Sequence, residues 1–212
     1  MYRHVLVIAL ALFLLPATAI SGSFRLAEDI VLEVELPGER WNVSNEPSSA
    51  LVESIAEHMH HDLEAQGKDV SEKQVHRAAR ERLAANELFI RSDSGAHIEI
   101  DISPIKSGKK SPSEGTVKSS ARYAGQSMAS EEGVSKASSE ISEFDLPGAS
   151  VAYRLDIDFV RHEKSMNFLG VIGFDKPYWL YFYGTDPQVD PRDAEEMEKI
   201  FQSLRIVREN RD

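Results

Sequence analysis

The chain has 212 residues, of which 42% are hydrophobic and 28% charged, and 35 acidic against 24 basic residues give a net charge of −11. These proportions are those of a globular protein, and the acidic balance argues against nucleic-acid binding, which needs a basic face. There is no cysteine, which excludes disulfides, thiol nucleophiles and cysteine-ligated metal centres.

The N-terminus has the three parts of a secretory signal peptide. A basic start at Arg3 precedes an apolar run over residues 5–15, and a small-x-small site ends at Ala19. The run is shorter than the roughly 20 residues that span a bilayer. We therefore expect residues 1–19 to be a signal peptide cleaved between Ala19 and Ile20, with retention as a membrane anchor as the alternative. The protein is expected to be exported, periplasmic or secreted, and a bacterial export signal is favoured.

Residues 20–212 show strand and helix patterns that predict a single α+β domain. Apolar residues at every second position from Ile30 to Leu36 predict a strand with one buried face. Capping residues at Ser48 or Ser49 and at Ser71 begin two predicted helices within residues 48–85.

The C-terminal third adds further strands and a last helix. Alternating and continuous apolar runs predict strands over residues 151–160, 166–174 and 178–184. Asp190 followed by Pro191 predicts the start of a helix. The expected fold is α+β, with an antiparallel sheet of about five to seven strands and helices packed on it.

Residues 104–122 interrupt this pattern. The segment is rich in proline, glycine and serine, has no sustained apolar period, and predicts a long flexible loop. Small residues after it, over residues 123–139, predict a weak helix. The loop is basic, so we expect it either to lie on the protein's own acidic surface or to meet an anionic partner or a membrane surface. Its candidate partner contacts are Lys106, Lys109, Lys110 and Lys118.

The densest polar cluster lies on the first predicted helix, over residues 57–62. Side chains four residues apart share a helical face, so His58, His61 and Asp62 are candidate metal ligands. Such a site would need further ligands from elsewhere in the chain, and the other histidines form no evident constellation with these three. We favour a solvated helix face, and we expect no metal, no cofactor and no catalytic residue.

The aromatic run from Tyr178 to Tyr183 is the remaining feature with a functional interpretation. Consecutive aromatic residues place large rings on both faces of a strand, so one face could line a pocket. A strand covered on both sides would have the same composition, and we favour packing in the core.

Three short motifs stand near the two ends of residues 20–212: a strand followed by Pro37, Gly38 and Trp41, the aromatic strand, and residues 201–204. The first resembles the opening and the other two resemble the end of the PsbP/DcrB-like family, whose fold is shared with a Ran-binding protein. The resemblance does not cover residues 48–85, which would be a helical insertion. It implies an exported α+β domain without shared active-site residues.

Three functions follow from these observations. The favoured one is an exported, non-catalytic interaction or assembly module with a protein partner in the cell envelope. Membrane contact would then occur only through an uncleaved signal peptide or the basic loop. The first alternative is a metal-dependent hydrolase that uses His58, His61 and Asp62. The second is a small-ligand carrier with a pocket of roughly 300 Å³ or more beside the aromatic strand over residues 178–183.

Overall fold

A computed structural model describes residues 20–131 and 133–209, so the predicted signal peptide over residues 1–19 lies outside the described residues. The strands are β1 Ile20–Ala27, β2 Ile30–Leu36, β3 Trp41–Ser44, β4 Leu88–Ser92, β5 His97–Pro104, β6 Val134–Glu143, β7 Val151–Arg161, β8 Lys164–Asp175, β9 Tyr178–Asp186 and β10 Arg205–Arg208. The helices are α1 Ser49–Ala65, α2 Glu72–Leu83, α3 Glu114–Ala129 and α4 Asp193–Ser203. Within the described ranges, none of the helices has the length and apolar character needed to cross a bilayer.

The strands form two antiparallel sheets, which confirms the predicted α+β class. The larger sheet has seven strands in the order β3-β4-β5-β9-β8-β7-β6, and the smaller has three in the order β1-β2-β10. Neighbouring strands β7, β8 and β9 form a meander, and β9 pairs on its other side with β5. Strand β9 therefore lies at the centre of the larger sheet.

One face of the larger sheet, here called the closed face, is covered by the small sheet and α4. The predicted alternation in β2 is confirmed, because Ile30 and Leu32 are fully buried in this core. Helix α4 packs directly over Gly184 of β9, where a Cβ atom would lie 2.7 Å from Met197 Sδ and 2.9 Å from Phe201 Cε2. A side chain at this glycine would push α4 away from the sheet.

The opposite face, here called the open face, carries helices only toward its two sides. On one side, α1 and α2 pack on Phe89 of β4 in a cluster that includes Ala79 and Leu83. On the other side, α3 packs on β7 and β8 through Val117 and Ala121. Both predicted helices within residues 48–85 are confirmed, with Ser48 as the cap of α1 and a capping box at the start of α2.

The prediction for residues 104–122 was wrong over its second half, because α3 begins at Glu114 and runs to Ala129. Ser113 caps the helix by accepting a hydrogen bond from the Thr116 N–H. The buried stripe of α3 is narrow and consists of Val117, Ala121 and Gly125, so its apolar period is easily missed. The weak helix predicted over residues 123–139 was also wrong beyond Ala129, since β6 begins at Val134.

The start of the last helix differs from the prediction as well. Helix α4 begins at Asp193, and Asp190 does not cap it. The Asp190 carboxylate instead accepts hydrogen bonds from the backbone N–H and the guanidinium of Arg192, in a turn that precedes the helix.

Candidate binding groove

A groove runs over the open face between α1 and α3, with a volume of about 720 Å³. Its floor is formed by side chains from β5, β9, β8 and β7, and α2 contributes Arg82 to its edge. The volume falls within the roughly 300–1,000 Å³ that small-molecule sites occupy. This feature is called the groove below.

The centre of the floor is aromatic. Tyr181 and Tyr183 project from β9 into the groove with ring centroids 6.0 Å apart, and the Phe168 ring lies 5.8 Å from that of Tyr183. Burial is the main reason that the pKa of Tyr183 lies well above its usual value, with small contributions from nearby acidic groups. Leu180 and Phe182, at the alternate positions, are fully buried in the closed face. The aromatic strand therefore contributes side chains to both the core and the groove. From the sequence, packing in the core and lining a pocket were alternatives.

The polar part of the floor comes from β5. Glu99 lies opposite Tyr183 in the strand pairing, accepts a hydrogen bond from Asn86 Nδ2 at 3.1 Å, and has His97 Nε2 at 3.6 Å. Asp101, farther along β5 and outside the groove lining, lies opposite Tyr181, and burial raises the pKa of its carboxyl group. Glu99 is therefore held by its hydrogen bond from Asn86, and Asp101 is partly buried next to an aromatic ring.

Helix α3 presents a wall of hydroxyl groups to the groove. Ser119 and Ser120 donate their hydroxyl protons back to helix carbonyls, at 2.7 Å to Gly115 O and 3.1 Å to Thr116 O. A catalytic serine would instead donate to a general base. Tyr123 stands at the rim with 72% of its surface exposed.

At one end, the groove adjoins a smaller cavity of about 210 Å³, here called the histidine pocket. It is lined by Ser54, Glu57, His58, His61, Arg161, His162, Lys164, Met166 and Pro187. The His58 and His162 rings are stacked at 5.8 Å, and the His61 and His162 centroids are 5.6 Å apart. Burial, followed by the charges of Arg161 and His162, lowers the pKa of His58 to about 4.

Arg161 forms the boundary between the groove and the histidine pocket. Its side chain is only 16% exposed, and its nearest carboxylate atoms are Glu131 Oε2 at 3.3 Å and Asp62 Oδ2 at 3.8 Å. The Nε atom of Arg161 and the Oδ1 atom of Asp62 are buried without a hydrogen-bond partner. A buried guanidinium nitrogen without an acceptor is unusual in proteins.

The structure does not gather the candidate metal ligands into a metal site. His58 and His61 both line the histidine pocket, whereas Asp62 is directed toward Arg161. Among the described residues there is no group of three or more histidine, aspartate or glutamate side chains placed to hold a metal ion. Arg161 and Lys164 line the same pocket and would repel a cation.

The four candidate partner-contact lysines divide between a loop and a helix. Lys106, Lys109 and Lys110 surround a hollow of about 370 Å³ that also contains Trp179. Lys118 lies on α3, with Nζ 5.4 Å from the centroid of the Tyr153 ring, a cation–π arrangement. We call the first three lysines the basic loop. Sequence reasoning found these lysines and the aromatic strand, but it missed Arg161 and Lys164, because no motif marks them.

The sequence matches no protein-family model and no curated protein. Among solved structures, the fold is similar to that of cyanobacterial PsbP (CyanoP) from Synechocystis sp. PCC 6803, with a TM-score of 0.51 and 11% identity over 91% of this chain and 94% of that one. A Pseudomonas aeruginosa protein of unknown function aligns over 91% of this chain and 98% of its own length at 15% identity, with a TM-score of only 0.36. The predicted PsbP-like fold is confirmed, whereas the relation to DcrB and to the Ran-binding protein stays a prediction.

Proposed function

We propose that this protein is an exported, non-catalytic interaction or assembly module with a protein partner in the cell envelope. The observation that carries the proposal is the basic loop, where three exposed lysines cluster around Trp179 on a chain with a net charge of −11. Such a local reversal of charge favours contact with an acidic partner surface. Ser119 and Ser120 bond back to their own helix, which supports a non-catalytic role.

Export is supported by the signal-like sequence over residues 1–19. Strand β1 begins at Ile20, so cleavage between Ala19 and Ile20 would leave every described element intact. The intact mass of the protein recovered from the cell envelope would test this, because an exported chain that still carried residues 1–19 would contradict cleavage.

A photo-crosslinking experiment tests the partner contact. A crosslinking residue at Ser107, which is exposed in the basic loop, should give one discrete adduct in the native compartment. Changing Lys106, Lys109 and Lys110 to Gln should reduce the yield and its salt dependence, since surface charges are screened beyond about 8 Å at physiological ionic strength.

The matched control changes three exposed lysines outside the loop to Gln, namely Lys68, Lys73 and Lys136. It alters the net charge by the same amount, so the adduct should persist. Equal adduct yields from the two triple variants would contradict a partner contact through the basic loop.

The groove supports a second candidate function, a small-ligand carrier. Its volume of about 720 Å³ and its aromatic floor fit an organic molecule of ordinary size. Native mass spectrometry of the protein from its own cell envelope would show the carried molecule as an added mass. This mass should decrease when Tyr183 is replaced by Ala, because that change removes the centre of the floor.

A further inference from the structure

We infer that the histidine pocket and the groove together bind an amphipathic anion, with its carboxylate or phosphate group in the pocket and its apolar body along the groove. The inference rests on the carrier function proposed above and names the chemical class of the ligand. Three observations carry it: the charge of the pocket, the loose pairing of Arg161 with its acidic neighbours, and the continuity of the two cavities.

The lining of the histidine pocket favours an anion. Arg161 and Lys164 contribute positive charge, three imidazole rings can donate hydrogen bonds, and Glu57 is the one acidic residue in the lining. Asp62 and Glu131 approach Arg161 and offset part of its charge. Lys164, on β8, also lines the pocket and forms no ion pair within the described part of the chain.

Arg161 has capacity for a further hydrogen-bond acceptor. Its Nη1 atom lies 3.3 Å from Glu131 Oε2 and its Nη2 atom 3.8 Å from Asp62 Oδ2, both longer than a charge-assisted hydrogen bond of about 2.7–2.9 Å. A carboxylate or phosphate can fill several donors of one guanidinium at once. Such a group would satisfy Arg161 while the stacked rings of His58 and His162 lie beside it.

The two cavities share a wall, so one ligand can occupy both. Ser54, His58, Arg161 and Met166 line the groove as well as the histidine pocket. The groove also presents apolar side chains from β7, β8 and α3, namely Phe159, Phe168 and Met128. A charged head in the pocket therefore continues directly into space that suits an alkyl or aromatic body.

Binding of decanoate below its micelle concentration tests the inference, with decyl phosphate, decanol, decylammonium and inorganic phosphate as comparisons. In isothermal titration of the full mature protein, decanoate or decyl phosphate should bind at least about tenfold more tightly than decanol, the loss expected when a charged hydrogen-bonded head is removed. The ratio of decanoate to decyl phosphate affinity distinguishes the two head groups. Decylammonium should not bind.

Two variants of exposed residues locate the head group without disturbing the core. Lys164→Gln removes a charge, and His162→Asn preserves the backbone, because asparagine tolerates the positive φ of 47° at this turn. Each should weaken decanoate binding about tenfold and leave decanol binding unchanged. Lys73→Gln, an exposed lysine on α2, is the control and should change neither.

The outcomes separate this inference from the carrier function. If decanol or decylammonium binds as tightly as decanoate, the anionic head is excluded while the groove still carries a ligand. If decyl phosphate binds no more tightly than inorganic phosphate, the groove does not hold the apolar body, and both the inference and the carrier function are contradicted. If none of the decyl compounds binds, both the anion and the carrier function are contradicted. Unchanged decanoate binding in both Lys164→Gln and His162→Asn would place the head elsewhere and overturn the inference.

Discussion

The two faces of the seven-stranded sheet are built from the same strands but are covered in opposite ways. The closed face forms one continuous core with the small sheet and α4, and its central side chains, such as Phe182 and Phe201, are fully buried. The open face carries three smaller apolar clusters, and the groove lies between the helices. This difference indicates that stability depends mainly on the closed face and that the open face is available for binding.

The largest expected effect is a cavity in the closed face. Phe182→Ala should reduce the free energy of unfolding by about 3–5 kcal/mol, because a fully buried aromatic ring leaves a cavity that its neighbours fill only partly. Urea denaturation would measure it. A loss below about 1 kcal/mol would show that the closed face does not dominate stability.

The next effect concerns an ion-pair network at the edge of the closed face. Arg40 is 12% exposed and pairs with four carboxylates, those of Asp93, Asp190, Asp193 and Glu196, of which Asp193 is fully buried. Arg40→Met should cost about 3 kcal/mol, because it leaves buried acids without a cation. Thermal unfolding of variant and parent at pH 7 would test this, and nearly equal melting temperatures would contradict it.

A smaller effect comes from the histidine pocket on the open face. Because the pKa of His58 falls from 6.5 to about 4 on folding, the unfolded chain binds the proton more tightly, and stability is lost as the pH decreases from 6.5 toward 4. Arg161, His162 and burial favour the neutral ring, while Glu57 and Asp62 oppose them. His58→Gln should remove about 1 kcal/mol of this loss, after allowance for solvent screening. Parallel melting curves for both proteins at pH 7 and pH 4.5 would measure it, and an identical decrease would contradict it.

A further comparison concerns two tyrosines on the open face. Tyr153 lies under α3 and donates a hydrogen bond of 2.8 Å to Glu114 Oε1, so Tyr153→Phe should cost about 1–2 kcal/mol. Tyr183 faces the groove, and no hydrogen bond contributes to its raised pKa, so Tyr183→Phe should change stability by less than about 0.5 kcal/mol. Equal losses in the two variants would mean that the groove floor is as constrained as the helix-covered sheet.

Much of the fold could be predicted from the sequence, because its strands and first two helices carry strong local patterns. The alternation in β2 and the capping box at Ser71 each depend on residues close together in the chain. Helix α3 was harder to predict, because its buried stripe contains small residues and its remaining positions resemble a polar loop. Strand β1 was missed for a related reason, since only Leu26 within it is buried.

The site could be predicted only in part. The aromatic strand and the His58–His61 pair can be recognised from their residue types alone. Whether they form a binding site depends on neighbours from distant parts of the chain. Arg161 reaches the histidines only because the β7–β8 hairpin meets α1 in three dimensions. That contact changes a suggested cation site into a pocket whose lining favours an anion, and no spacing rule in the sequence contains this information.

The pairing of β2 with β10 has a consequence for the order in which the protein folds. Asp29, just before β2, is joined to Arg208 of β10 at 2.6 Å although the two residues are 179 positions apart in the chain. During synthesis from the N-terminus, β2 can pair with β1 early, but its other edge stays unpaired until residues 205–208 of β10 have emerged. Contacts of such long sequence separation form slowly, because a large loop must close first. Closure of the small sheet is therefore a late step, and until then the apolar side of β2 is exposed to chaperones, proteases and other unfolded chains.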